Sequence, residues 1–341
     1  MKTNIQIGYL GEKKLIKLIE ELILKKTGKE LLRDDSFFFN IQDMKPDKYI
    51  VLNSDMLVST TDVPPIMNSY QIGRKSVIMN VSDLFVKGVF PRGLIISFGL
   101  PKELEKQRFL DLVNGIIDCC MLFQLDYIGG DINETKELIV NPTVFGFKKP
   151  STIIHRKGIK IDNILVANNK FGLTGVGFDI LLKKKGNPKD FPKYKRSIMS
   201  VLEPSISGKE AYILSENNFA TASIDSSDGL YQSLRDLMLS NPKLGFEIEL
   251  NNNLIDPETI KYCDEFSVSL EKLVFNGGEE FIHLFTIDPK DLFKAQKEIQ
   301  SKGGQIFKIG RVTSDKFITI LKEGEKKEIK NYGFEHFGKK V

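Results

Sequence analysis

Acidic residues with small neighbours recur along this 341-residue chain. They are Asp34-Asp35, Asp55 in Asn-Ser-Asp, Asp83 in Asn-Val-Ser-Asp, Asp131 in Gly-Gly-Asp, Asp225 and Asp228 in Asp-Ser-Ser-Asp-Gly, and Glu279-Glu280 in Gly-Gly-Glu-Glu. Most follow short apolar runs that read as strands. A strand fixes where its terminal carboxylate points, and Gly or Ser beside it lets a bulky anion approach the backbone. Carboxylates gathered by folding repel one another unless cations lie between them. Magnesium suits such a set, because it prefers oxygen ligands and bridges one or two carboxylates to substrate phosphates. Taken singly, each motif also reads as a turn whose Asp caps the next helix; the chemical reading rests on the set.

The elements that must carry these residues alternate. Residues 11–26 place Leu15, Ile16, Ile19 and Ile23 at helical spacing between charges, an amphipathic helix. Strands are expected at 49–52, 94–98, 125–128 and 138–147, with helices at 73–90 and 103–124. Pro150 within the polar stretch 148–160 marks a boundary, giving domains 1–150 and 151–341. Beyond it, strands are expected at 163–167, 219–224 and 246–250, a Gly-rich turn from Gly172 to Gly177 opening a helix, a helix at Leu230–Leu239, and an apolar run at 272–275 before Gly277. The fold class is α+β, of α/β type in two domains.

Composition narrows the function. The chain has 49 basic and 45 acidic residues, a net charge of +4, and its Lys and Arg are scattered rather than striped, so nucleic acid is not an expected partner. The apolar residues of the first helix are interrupted by Lys17, Glu20 and Glu21, which argues against a signal peptide, and no apolar run reaches 18 residues, so no membrane partner is expected. Cys119, Cys120 and Cys263 form no C-x-x-C, consistent with a reducing, cytoplasmic setting. Gly172 to Gly177 has P-loop spacing, but Phe178 stands where Lys is required. There is no H-R-D followed by D-F-G, and His155, His283 and His336 lie far apart, His283 reading as structural.

In order, Arg33-Asp34-Asp35, Asn53-Ser54-Asp55, Asn80-Val81-Ser82-Asp83, Gly129-Gly130-Asp131, Ser227-Asp228-Gly229-Leu230, Gly277-Gly278-Glu279-Glu280 and Gly333-Phe334-Glu335-His336-Phe337 resemble the motif series of the thiamine-monophosphate kinase family. That family sits in a larger ATP-using group with aminoimidazole ribonucleotide and selenophosphate synthetases. The resemblance implies an ATP-dependent kinase making thiamine diphosphate, with several magnesium ions. Asp35, Ser54, Asp55, Asp83, Asp131, Asp225 and Asp228 would hold metal; Gly130, Asp131, Arg156 and Ser227 would contact ATP; Asp62, Glu279 and Phe334 would contact thiamine monophosphate. Asp83, Asp131 and Asp228 would be the residues turnover depends on. The resemblance further implies an N-terminal domain that pairs into a dimeric β-barrel and a C-terminal α/β domain, hence a homodimer.

This chain departs from the family pattern in places. Leu32 and Arg33 replace the usual glycines before the first Asp pair, Asp62 stands where the substrate loop commonly has histidine, and Glu280-Phe281 ends the Gly-Gly-Glu motif. A related enzyme with another acceptor, or a non-catalytic nucleotide-binding paralogue, therefore stays open at this point. Selenophosphate synthetases rely on an early reactive Cys, and no cysteine precedes Cys119 here.

Overall fold

The structure is a computed structural model that describes residues 6–30 and 47–330. Asp34, Asp35 and Phe334 lie outside the described residues. The chain divides into two compact units, the first of residues 1–84 and 89–150, the second of 85–88 and 151–341.

The first unit is built on a five-stranded sheet of β1 (Tyr49–Ser54), β2 (Leu57–Val58), β3 (Pro91–Leu100), β4 (Asp126–Glu134) and β5 (Ile139–Lys148). The order is β1-β5-β3-β4, with β2 also pairing β5. Strands β3 and β4 are parallel, joined through α4 (Lys106–Phe123), because a parallel pair needs a long crossover. The chain then crosses the end of β3 to reach β5. Thr135 N–H donates to the Leu100 carbonyl there, and Gly99 has no side chain to obstruct Thr135.

Alternation along the strands makes the sheet two-sided. Leu94, Ile96, Phe98, Val140 and Val144 are buried on one face, while Ile95 is 40% exposed on the other. Helix α1 (Glu12–Thr27) buries Leu15, Leu18, Ile19 and Ile23. Ile16, which the spacing included, falls off this stripe and is half-exposed; Leu18 takes its place. Helix α3 (Ser69–Val86) begins four residues earlier than expected and is buried nearly all round: Ile72, Val77, Ile78, Val81 and Leu84 share the interior with Lys75, Ser76, Asn80 and Ser82. It meets α4 closely at two glycines. A Cβ on Gly73 would overlap the Leu112 carbonyl oxygen, and one on Gly115 that of Tyr70.

The second unit has a seven-stranded sheet, in the order β12 (Glu325–Glu328), β11 (Ile318–Lys322), β8 (Gly245–Glu249), β10 (Phe307–Thr313), β6 (Ile164–Ala167), β9 (Ile282–Ile287), β7 (Ala220–Ser226). Apart from the parallel β8–β11 pair its ladders are antiparallel, so this unit is α+β rather than α/β. Helices cover both faces. Ile224, Ile282 and Leu284 pack with Leu230 and Leu234 of α8 (Leu230–Ser240) and Val274 and Phe275 of α10 (Leu270–Asn276). On the other face Val166, Phe285 and Ile287 pack with Leu214 of α7 (Lys209–Glu216) and Ala295 and Ile299 of α11 (Pro289–Ser301). Strand β9 is buried at every position, which is why it reads as a near-continuous apolar run.

Three local expectations change. The run 272–275 lies in a helix, so Glu279 and Glu280 follow a helix and precede a strand. Asp131 and Asp225 sit inside strands rather than just past them, while Asp83 lies on α3, within the helix expected at 73–90. Gly175 and Gly177 lie within α5 (Leu173–Phe178), which runs into a π-helical turn at Asp179–Lys183; only Gly172 belongs to the turn before it.

Candidate functional site

Within the first unit, folding brings Asp55 and Asp83 together. Asp55 follows β1 and Asp83 lies on α3, 28 residues on. The amide nitrogen of Asn53 donates to both carboxylates, at 3.0 Å to Asp55 and 2.9 Å to Asp83, and lies 3.4 Å from Asn80 Oδ1. Asn80 is fully buried and brackets the Asp55 main chain: its Oδ1 accepts the Asp55 N–H at 2.7 Å and its Nδ2 donates to the Asp55 carbonyl at 3.1 Å. Neither asparagine was assigned a role from sequence, although each opens a motif that ends in one of these acids.

Asp131 lies elsewhere in the same unit, on the open face of the sheet. It is opposite Ser97 of β3, which is opposite Asn141 of β5. Ser54 joins this face rather than the Asp55–Asp83 pair. Its hydroxyl bonds the Pro142 carbonyl at 3.1 Å, approaches Asn141 Oδ1 at 3.3 Å and accepts from Thr143 at 2.9 Å. Asp131 reaches the open face because of a β-bulge. Tyr127 pairs Leu94, but Gly129 pairs Ile95, which leaves Ile128 as the extra residue. In unbroken register Asp131 would fall opposite Phe98, on the buried face.

Asp62 ends the short helix α2 (Ser59–Asp62). Its carboxylate turns back onto its own turn, accepting the Val58 N–H at 2.7 Å, and its carbonyl accepts from the buried Lys75 ammonium at 2.5 Å.

In the second unit two motifs are stitched into one surface. Glu279 N–H donates to the Ser227 carbonyl at 2.5 Å, and Phe281 N–H to the Ser226 carbonyl at 3.0 Å. Glu279 (φ 58°) and Phe281 (φ 50°) are both left-handed, a strained conformation for residues with side chains, and such strain clusters at functional sites. Ser227 and Asp228 are exposed at the turn after β7. Asp225 is buried at 4% exposure, opposite the fully buried His283 of β9. Arg156 is exposed and stands 3.9 Å from Asp236 of α8, while Asn241 donates to its carbonyl at 2.8 Å.

Glu280 points inward. It accepts the Gly172 N–H at 2.6 Å, and burial pushes its carboxyl from the usual 4.5 up to about 8; the Gly172 and Thr174 donors pull the other way and Asp256 adds to the rise. An acid whose pKa rises on folding is protonated more readily in the native state than in the unfolded one. Its stabilising effect is complete below the unfolded value and is lost as pH rises toward the folded one. Relative to Glu280→Gln, which keeps an acceptor for Gly172, the wild type should therefore lose about 1 kcal/mol of stability per pH unit between about pH 5 and 8, then level off. Urea unfolding of both proteins across that range measures this; parallel curves would refute it.

Among the described residues, no three His, Cys, Asp or Glu side chains converge on a point in a way that would hold a metal ion. The Asp55–Asp83 pair nonetheless fits magnesium. Its two carboxylates and the Asn80 oxygen surround a single donor nitrogen, and magnesium needs only one or two carboxylates when phosphates and water complete its shell.

Comparison with known proteins gives the family. Residues 33–147 match the family model for AIR synthase related protein, N-terminal domain. The chain is 32% identical over 329 residues to thiamine-monophosphate kinase of Nitrosopumilus maritimus, covering 96% of this chain and 99% of that protein. It is 29% identical over 318 residues to that of Methanocaldococcus jannaschii, covering 90% and 94%. The solved structure of AaThiL complexed with AMPPCP and TMP shares the fold, with a TM-score of 0.74 at 23% identity over 98% of this chain and 100% of that one. Full-length identity above 30% together with the ordered acidic motifs places this chain in the thiamine-monophosphate kinase family.

Proposed function

We propose that this protein transfers the γ-phosphoryl group of ATP directly to thiamine monophosphate, giving thiamine diphosphate and ADP. The observation that carries the reading is the meeting of Asp55 and Asp83 around Asn53, in a chain similar over its whole length to thiamine-monophosphate kinases. On the first unit Asp55 and Asp83 would hold magnesium at one place and Asp131 with Ser54 at another, with Asp35 as a further ligand; on the second, Asp225 and Asp228 would hold it. Gly130, Arg156 and Ser227 contact the nucleotide, and Glu279 and Phe334 contact the acceptor.

Both reactants are anions, so repulsion between them is the chief barrier, and bound magnesium supplies the neutralising charge. One bond breaks, between the γ-phosphorus and its bridging oxygen, and one forms, to an acceptor phosphate oxygen. The acceptor phosphate monoester carries close to two negative charges at neutral pH, so that oxygen is already ionised and needs no general base. This agrees with His283 being buried in the sheet. The protein's own contribution is to hold the donor and acceptor in line.

The test is direct. Pure protein with ATP, magnesium and thiamine monophosphate should yield thiamine diphosphate and ADP in equal amounts. ADP formed only with another acceptor, or ATP bound without turnover, would replace this reading.

The same reading makes the protein a cytoplasmic homodimer. Support comes from the open face and edge of the five-stranded sheet, where Ile95, Tyr49, Ile50 and Leu52 are 40% to 64% exposed, an unusual density of apolar surface. Sedimentation should show a particle of twice the 38.7 kDa chain mass, and Leu52→Asp should shift it toward the monomer. A monomeric wild type would remove the dimer from the reading.

A further inference from the structure

The nitrogen of Asn53 has three oxygens around it within 3.4 Å: one each from the Asp55 carboxylate, the Asp83 carboxylate and the Asn80 carboxamide. The Asn80 atom is fixed as an oxygen because it accepts the Asp55 N–H at 2.7 Å. With oxygens on every side, the Asn53 amide must turn its nitrogen, not its oxygen, toward them. Two carboxylates so close would repel, and the Asn53 N–H groups offset that repulsion with a pair of charge-assisted hydrogen bonds. A divalent cation offers these oxygens the same service more strongly. It cannot take up that position while the amide nitrogen points into it.

We propose that Asn53 is an internal competitor of the cation: its amide holds Asp55 and Asp83 together in the cation-free protein, gives way when the cation binds, and so sets how tightly the pair holds metal. This rests on the assignment of the pair as a metal site but not on the identity of the phosphate acceptor. The motif contributes the residue type that the mechanism requires. A side chain at position 53 without an N–H of this reach removes the donor that the two carboxylates share, whereas the amide supplies a neutral substitute for the cation. The cost falls on affinity, because each hydrogen bond to a charged group must be given up on binding.

Removing the amide with Asn53→Ala should therefore have two opposite effects. The cation-free protein should melt at a lower temperature, since two like charges lose their shared donor. Mn2+ titrated in the absence of nucleotide and followed by electron paramagnetic resonance should bind about tenfold more tightly, the affinity released by hydrogen bonds that no longer compete. Mg2+ should raise the melting temperature of the variant by more than it raises that of the wild type. Asn53→Ser, which keeps a single shorter neutral donor, should show the same pattern in weaker form, and it serves if the alanine variant is poorly folded without metal.

Unchanged or weaker Mn2+ binding in Asn53→Ala would overturn the proposal, since it would make the residue a ligand or a bystander. A wild type that binds no Mn2+ would overturn it as well. Neither melting nor Mn2+ binding involves thiamine monophosphate, so the kinase assay can fail while these results stand, or succeed while they fall.

Discussion

Asp131→Asn should lower turnover by about a thousandfold while leaving the stability of the protein within about 0.5 kcal/mol of wild type. The two halves of this expectation have separate physical sources. Asp131 is exposed on the open face of its sheet, opposite the exposed Ser97, so exchanging a carboxylate for an isosteric amide disturbs no packing. The change removes a full negative charge from a surface whose proposed task is to hold magnesium against the phosphates of ATP, and it does so without altering shape. The loss should therefore appear in kcat at saturating magnesium, with a circular-dichroism melting curve that overlays the wild type. A variant that turns over thiamine monophosphate at more than a tenth of the normal rate would remove Asp131 from the metal set and weaken the proposed mechanism as a whole.

Gly130→Ala, one residue away, should act in the opposite manner, through structure. Gly130 lies opposite Ile96, and a Cβ built on it would overlap the Ile96 carbonyl oxygen, a backbone atom that cannot swing aside. Strands β3 and β4 would have to part just beyond the bulge, at a cost of about 3 kcal/mol. Gly129→Ala makes the comparison: both glycines have a positive φ, 152° and 157°, so both variants carry that backbone strain, but an added Cβ at Gly129 meets nothing within 4 Å. Urea unfolding should separate the two variants clearly, and activity should fall with Gly130→Ala even under conditions where it is folded, since the displaced ladder carries Asp131. Equal stabilities for the two alanine variants would mean that the close approach at Gly130 is not what the glycine is for.

These residues also mark where sequence reading was sufficient. The amphipathic period placed α1 within one residue, and the apolar run 163–167 marked strand β6. The Asn-Ser-Asp and Asn-Val-Ser-Asp motifs pointed to Asp55 and Asp83 as partners in one site, and the fold joins them. The run 272–275 was harder. A short apolar stretch fits a buried helix as well as a strand, and Ser269, whose side chain accepts the Lys272 N–H, settles the matter by capping a helix. Helix α3 was placed too late because its first turn, from Ser69, lacks a strong apolar period, and because its buried polar residues blur the contrast between faces.

The order of the acidic motifs, their small neighbours and the alternation of strand and helix are properties of the chain itself, and they were enough to indicate the family and its phosphate chemistry. Which way each acid faces was not. Asp131 reaches the open face through one unpaired residue at Ile128, Asp62 spends its carboxylate on Val58, and Glu280 turns inward to Gly172 while Glu279 beside it takes a strained backbone conformation. Each of these outcomes depends on strand register or on a hydrogen-bond partner brought near by folding. Local sequence fixes a side chain's type and period, but its direction is set by the neighbours that the rest of the chain delivers.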